Sequence, residues 1–411
     1  MSNTFSHKEL KDLKLNLLLH ITKAINNNAS VNELLDIYQK FLRDTLSIQK
    51  LCLFINTSTS SEEKDWKWEC LIKAGLKKNQ KVYFEKELLL IKDIETLSAF
   101  KGGFSKEFDV VIPVYHKDLP LAYLLMGDVG PDKIGMSPVV QHLPFVQTLT
   151  NIIVVAIENK KLYRQSIEQA EINKEIELAK QVQSLLLPQK LPYNKNIKIA
   201  ADYIPFALIG GDYYDVIQLN NHEYIFCIAD VSGKGVSAAL LMSNIQAALR
   251  TAIEFTHNLK DIVIQINKRV IENAKGEKFV SLFLGKINLF SKQLTYINAG
   301  HNAPVLWLDD KLQYLDKGTT LLGFLEQLPF IEVNILEFNK TLFLFSYTDG
   351  FTDFFDEFNI DLNEITKFIS KYKHLSPLEI KKHIINWINK LQSQHHALKD
   401  DLALLIIQCS K

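Results

Sequence analysis

The stretch from Leu143 to Leu187 contains no glycine, its only proline is Pro144 at the entry, and Pro188 closes it. Glycine and proline are the residues that stop helices, so the run predicts one helix of about forty residues, long for a globular element. The chain is 411 residues long, more than one ordinary core accommodates. We therefore divide it into residues 1–142, a linker over 143–188, and residues 189–411. The linker's apolar positions follow Leu149, Ile152, Ala156, Tyr163, Ile167 and Ala170, then resume out of phase at Ile172, Ile176, Ala179, Val182 and Leu186. A narrow stripe with a phase slip is the pattern of a two-stranded coiled coil, and a homodimer is expected from it.

Composition excludes several classes of function. With 47 basic and 47 acidic residues the chain lacks the broad positive field that nucleic-acid binding requires. Met1 to Lys14 is polar and charged, without a signal-peptide pattern, and no unbroken apolar run approaches the eighteen or so residues of a membrane span. A cytoplasmic location is the expectation. Cys52, Cys70, Cys227 and Cys409 are widely separated and form no Cys-x-x-Cys pair, so neither a disulfide framework nor a zinc site is indicated, and buried reduced thiols are expected.

On either side of the linker, periodicity predicts an α+β fold. Before it, two amphipathic helices between Glu9 and Leu46 precede extended segments at Leu51–Ile55, Trp66–Ala74 and Lys81–Phe84 and a hairpin of Asp109–Tyr115 with Ala122–Gly127. After it come strands at 197–203, 213–219, 224–229, 280–288, 293–298, 305–308, 312–315, 341–347 and 402–408. Helices fall in blocks at Ser237–Phe255, Leu259–Asn273 and Pro377–Gln394, the last with Ser376 as N-cap and Pro377 at its first position. Many antiparallel strands with helices in blocks predict a sandwich flanked by helices.

Four separate segments of this second part place an aspartate at a strand end or in a glycine turn. They are Gly210-Gly211-Asp212-Tyr213-Tyr214-Asp215, Asp230-Val231-Ser232-Gly233-Lys234-Gly235, Thr348-Asp349-Gly350 and Asp400-Asp401-Leu402. Each alone reads as a turn or a helix cap. If the ends converge, their combined charge is costly without cations, and hard oxygen ligands suit a hard divalent ion.

Together with Glu177-Leu178-Ala179 through Leu187-Pro188, Tyr296-Ile297-Asn298-Ala299-Gly300-His301-Asn302-Ala303-Pro304, Leu322-Gly323 and Ser346-Tyr347, these segments, in this order, resemble the SpoIIE/RsbU-type phosphatases. That family is the bacterial branch of the metal-dependent type 2C serine/threonine protein phosphatases. The resemblance implies a β-sandwich flanked by helices with two divalent ions, manganese or magnesium, at one edge. It implies that Asp230 bridges both ions, that Asp212 and the Val231 carbonyl serve one, and that Asp349 and Asp400 hold the other. Asp215 and Asp401 would be secondary, supporting ligand waters or loop geometry. Water activated by the two ions would attack phosphorus in line, and the substrate implied is a phosphoprotein, an anti-sigma-factor antagonist in a partner-switching pathway.

Two departures from the wider superfamily stand out. Ser232 occupies the place where eukaryotic members usually carry a histidine, and between Tyr163 and Asp230 the only arginine is Arg164, on the linker, so the phosphate clamp is unassigned. Lys234 is a candidate for phosphate contact, and His301, beside Gly300 and Asn302, reads as a loop-fixing residue. The first part resembles a GAF sensor domain by element order, which implies a small-molecule or protein signal; Tyr83, Phe84, Phe104 and Tyr115 could line a pocket or fill a core. Rival readings are a pseudophosphatase scaffold that binds regulatory proteins, and a nucleotidyl cyclase suggested by Gly210-Gly211-Asp212. Against the cyclase, Tyr213-Tyr214 replaces the Glu-Phe of its signature.

Overall fold

A computed structural model describes residues 7–58, 63–77, 82–97, 107–127, 142–393 and 398–410, and structural statements below concern these residues. It forms two compact units, one ending at Gln169 and the other beginning at Ala170.

The first unit starts with helices α1 (His7–Asn26) and α2 (Val31–Lys40). Ser30 caps α2, accepting from the Glu33 amide at 3.2 Å while the Glu33 carboxylate accepts from the Ser30 amide at 2.6 Å. Strands β1 (Lys50–Asn56), β2 (Trp68–Ala74), β3 (Glu95–Thr96), β4 (Val110–His116) and β5 (Leu119–Gly127) make an antiparallel sheet in the order β2-β1-β5-β4-β3. One face packs Leu51, Leu53, Ile112 and Leu124 against α1, α2 and the first turns of α3 (Leu143–Ser184). The other face carries Cys52, Phe54, Phe108, Val111 and Tyr123. The expected hairpin is present, turning through Lys117 in the left-handed region. Lys81 lies outside the described residues, and Val82–Phe84, expected as a strand, are irregular; Phe84 stacks on Trp68 at 4.0 Å, its ring filling the core as an aromatic often does. Phe104 lies outside the described residues.

The glycine-free run is one helix, α3, ending at Ser184. Its apolar stripe is not uniform in use. Leu149 and Ala156 are buried in the first unit's core, whereas Tyr163, Ile167, Ile172 and Val182 are exposed. The earlier half of the stripe is therefore core, because it lies over the sheet of that unit; only the later half leaves apolar surface uncovered. At the far end Leu186 and Leu187 pack with the second unit.

The second unit is a sandwich of four layers. One sheet runs β13-β10-β9-β8-β7, with β14 paired to β10. The other runs β12-β11-β15-β16-β6. Their ranges are β6 Ile197–Ile204, β7 Tyr213–Gln218, β8 Glu223–Val231, β9 Val280–Asn288, β10 Gln293–Ala299, β11 Val305–Leu308, β12 Lys311–Tyr314, β13 Gly318–Thr319, β14 Asn334–Glu337, β15 Thr341–Tyr347 and β16 Leu402–Ser410. Phe226, Ile228 and Phe283 of one sheet meet Leu344, Leu405 and Ile199 of the other in the central core. Outside the first sheet lie α4 (Val236–Phe255) and α5 (Leu259–Ala274), and outside the second α6 (Asp349–Asp356), α7 (Leu362–Tyr372) and α8 (Pro377–Gln392). At α8, Pro377 opens the helix and the Glu379 carboxylate takes both the Ser376 amide and hydroxyl. Helices α6 and α7 are additions to the sequence expectation; Phe351, Phe354 and Phe355 of α6 seal the outer face of β15 and β16. Helix α4 is, by length and composition alone, apolar enough to cross a membrane, although polar residues interrupt its apolar run in the sequence. Its Ala238, Leu241, Met242, Ile245 and Leu249 are committed to the core over the first sheet.

Candidate active site

The four aspartate segments meet at one end of the sandwich, and the strand ends explain why. Asp212 directly precedes β7, whose Tyr213 pairs with Ala229, so Asp212 and Asp230 emerge side by side on neighbouring strands of the first sheet. Asp349 starts α6 just after β15, and Asp400 and Asp401 precede β16, which pairs with β15 in the second sheet. Thr348 ties the two sheets together: its hydroxyl donates to Asp212 Oδ2 at 2.7 Å and accepts from the Ala403 amide at 2.9 Å.

The electrostatics are those of crowded like charges. Burial, then the charge of Asp230, holds the Asp212 carboxyl well above the usual range, with Asp401 and Asp349 adding to it against the Thr348 hydrogen bond. Burial and the Asp349 charge push Asp230 up to about 7, moderated by its hydrogen bond to Asp212. Asp349 is raised by burial and by Asp400. A lysine on Asp400 supplies part of the missing positive charge.

That lysine is Lys234, whose Nζ lies 2.9 Å from Asp400 Oδ2, donates to the Lys399 carbonyl and sits 4.9 Å over the Phe206 ring. Asp401 has a different task. Its two oxygens accept from the Phe206 amide at 2.9 Å and the Gly211 amide at 2.7 Å, so it moors the loop that carries Asp212. Glycine is required there by close approach: a Cβ on Gly210 would stand 2.0 Å from Asp401 Oδ2 and one on Gly211 2.9 Å from the Val231 carbonyl oxygen. Asp215 faces away into the sheet. It accepts from Tyr213 at 2.6 Å and from Arg250 of α4 at 2.8 and 3.0 Å, which makes it an anchor between β7 and α4.

His301 is buried. Its backbone is pinned by Asn298 at 2.7 and 3.0 Å and its Nδ1 lies 2.7 Å from the Ser281 hydroxyl. Burial lowers its pKa to about 4, so the ring is neutral at physiological pH and fixes the loop.

Three neighbours of the cluster carry no role in the sequence reading. Thr348 lies in plain view within Ser346-Tyr347-Thr348-Asp349-Gly350, yet only the convergence of the sheets shows what its hydroxyl does. Tyr203, on β6, brings a buried hydroxyl without a hydrogen-bond partner close to Asp401, with no local signal to mark it. Gln183, in the last turn of α3, donates from Nε2 to the Gly210 carbonyl at 2.6 Å and accepts from the Gly210 amide at 3.4 Å.

This fold and geometry can be set beside known proteins. The family model of Stage II sporulation protein E matches residues 220–410. Phosphoserine phosphatase RsbU of Bacillus subtilis is 30% identical over 244 residues, which cover 58% of this chain and 71% of RsbU. The chain belongs to the SpoIIE/RsbU-type family of protein serine/threonine phosphatases. Another relative, phosphoserine phosphatase RsbP of the same organism, is 25% identical over 240 residues, and the chain spans little more than half its length, 57%. The SiaA PP2C domain of Pseudomonas aeruginosa, 18% identical, shares the fold with a TM-score of 0.50 over 59% of this chain and 98% of that domain.

Proposed function

We propose that the cluster binds two divalent cations, manganese or magnesium, and hydrolyses phosphoserine or phosphothreonine on a small regulatory protein of the anti-sigma-factor-antagonist type in the cytoplasm. The observation that carries this is the convergence of Asp212, Asp230, Asp349 and Asp400 from both sheets, with three of them raised in pKa by one another and by burial. Among the described residues no three acidic, histidine or cysteine side chains stand close enough to hold an ion as they are. The donor set nevertheless fits: all oxygen, three of its four carboxylates held above their ordinary pKa, and Lys234 standing on Asp400 where a cation would compete. Asp230 would bridge the ions, Asp212 and the Val231 carbonyl would serve one, and Asp349 and Asp400 the other. Bound ions supply a nucleophilic water at neutral pH and screen the phosphate. Asp401 and Thr348 orient the ligand loop, and Asp215 braces β7 behind it. A manganese titration of phosphoprotein hydrolysis tests the reading; activity unaffected by chelation would end it.

Lys234 is then a gate as well as a candidate phosphate contact, since it must leave Asp400 before it can reach a substrate. Because an ion pair this exposed is worth at most about 1 kcal/mol, Lys234→Met is expected to tighten manganese binding by no more than about fivefold while raising KM. Calorimetry and steady-state kinetics separate the two effects.

The first unit is proposed as a GAF-like sensor acting through α3, with the exposed later half of the helix as the dimer seam. Support comes from Gln183, which connects the end of that helix to Gly210, two residues before Asp212. Gln183→Ala leaves the Gly210 carbonyl and amide buried without their partner, a cost of about 1–3 kcal/mol. It is expected to lower activity roughly tenfold at limiting manganese and much less at saturation. Equal loss at both would separate Gln183 from the metal site.

A further inference from the structure

The first unit holds a feature that the phosphatase chemistry does not use. Cys52 lies on the inner strand β1 and Cys70 on the edge strand β2, eighteen positions apart, with their sulfurs 3.2 Å from each other. A register shift between Leu53 and Phe54 creates this meeting. Leu53 pairs with Ile72 but Phe54 pairs with Cys70, so the bulge at Leu71 carries Cys70 onto the face that Cys52 shares. Both thiols are free. Cys52 is wholly buried, while Cys70 is only half-buried on the sheet's outermost strand.

We propose that Cys52 and Cys70 form a reversible redox pair, oxidised by hydroperoxides to an intramolecular disulfide within the first unit. Cys70 would react first. As thiolate it attacks the peroxide O–O bond, giving the Cys70 sulfenic acid and releasing hydroxide (water from hydrogen peroxide, the alcohol from an organic peroxide, after protonation). Cys52 then gives up its proton and its sulfur attacks the Cys70 sulfur, forming the S–S bond and expelling the second oxygen as water. One peroxide thus takes up two electrons and the two thiol protons, and nothing else is required. The sulfurs need approach by only roughly 1 Å from their present contact to reach the covalent length of about 2.05 Å.

The surroundings divide the roles. The hydrogen bond between the two sulfurs is the main influence holding the Cys70 thiol below its ordinary pKa, against burial and with Lys73 acting in the same direction as the bond, while the Cys70 thiol also donates to the Ile72 carbonyl at 3.2 Å. That same bond, together with burial, raises Cys52. A partly exposed sulfur on an edge strand, in contact with a buried resolving thiol, is the arrangement that redox-sensing cysteines need. Cys227 and Cys409, both buried and with thiols raised by burial, have no such partner among the described residues and serve as internal controls.

The test uses the full chain exposed to hydrogen peroxide, quenched with an alkylating agent and examined by intact mass and peptide mapping. The expected wild-type product has lost two hydrogens, carries a Cys52–Cys70 linkage, and regains both thiols with dithiothreitol; Cys227 and Cys409 remain alkylatable after unfolding. Cys52→Ser should instead accumulate Cys70 sulfenic acid, trapped by dimedone, with no linkage. Wild type that gives Cys70 sulfinic acid with Cys52 still reduced, or linkages only between chains, would overturn the proposal. A linkage formed equally fast in urea would overturn it too, since the folded juxtaposition would then be irrelevant. Circular dichroism of Cys52→Ser confirms that its result comes from folded protein.

Discussion

The Asp230→Asn protein is expected to lose phosphoprotein hydrolysis by at least about a thousandfold, the equivalent of about 4 kcal/mol in the transition state. Stripped of divalent ions, it should nevertheless melt several degrees above the wild type near pH 8. The two effects share one cause. Asp230 sits among carboxylates that only cations can offset, so the charge that makes the site useful is a liability in the metal-free fold. Its folded pKa of about 7 lies above the ordinary aspartate value of 3.8. The folded state therefore holds the proton more tightly than the unfolded chain does. Stability from this group is fully present below 3.8 and is lost as pH rises toward and through about 7. Above that range, keeping the carboxylate charged costs of order 4 kcal/mol, part of which an asparagine of the same size recovers. Near pH 5 the melting gap should shrink to less than half its size at pH 8, and it should close only below about 3.8. Differential scanning fluorimetry in chelator at the two pH values checks the sign, and a melting gain present at pH 5 but absent at pH 8 would contradict it.

Gly350→Ala is expected to damage both stability and activity. A Cβ there would lie 2.0 Å from the carbonyl oxygen of Asp401 and 3.2 Å from the Asp400 Cβ. The first of these is main chain entering β16 and cannot rotate aside, so α6 must shift against that strand. Overpacking of this kind costs about 3 kcal/mol, a fall of roughly 10 °C in melting temperature for a unit of this size. Asp349 and Asp400 would separate, and manganese affinity should fall with them. Gly235→Ala is the comparison: its φ of +73° strains an alanine, yet nothing lies within 4 Å of the added carbon. That variant should lose only about 1 kcal/mol. If Gly350→Ala behaved no worse than Gly235→Ala, the close approach of α6 to Asp401 would not matter.

Much of the second unit is legible in the sequence because its strands are apolar runs punctuated by glycine and aspartate, and α3 because nothing in it stops a helix. The four metal-site candidates are visible for the same reason, each standing at a punctuation point. Asp215 belongs to the same motif as Asp212, yet a step of three residues along β7 takes it from the cluster to Arg250, thirty-five positions away. Lys234, in sequence a loop lysine available to phosphate, is set by the fold on Asp400. Short helix α6 escapes a sequence reading because Asp349-Gly350 signals a turn as readily as a helix start.

The sequence by itself determined most of the elements, their order, and which residue types could do chemistry, since periodicity and stop signals are local. Which of those residues face one another was decided only by the tertiary structure. The pairing of β7 with β8 and of β15 with β16 brings the aspartates together, and a single bulge on β2 does the same for Cys52 and Cys70. Both outcomes depend on strand register, where one residue's shift moves a side chain to the other face, and no local pattern in the chain encodes that register.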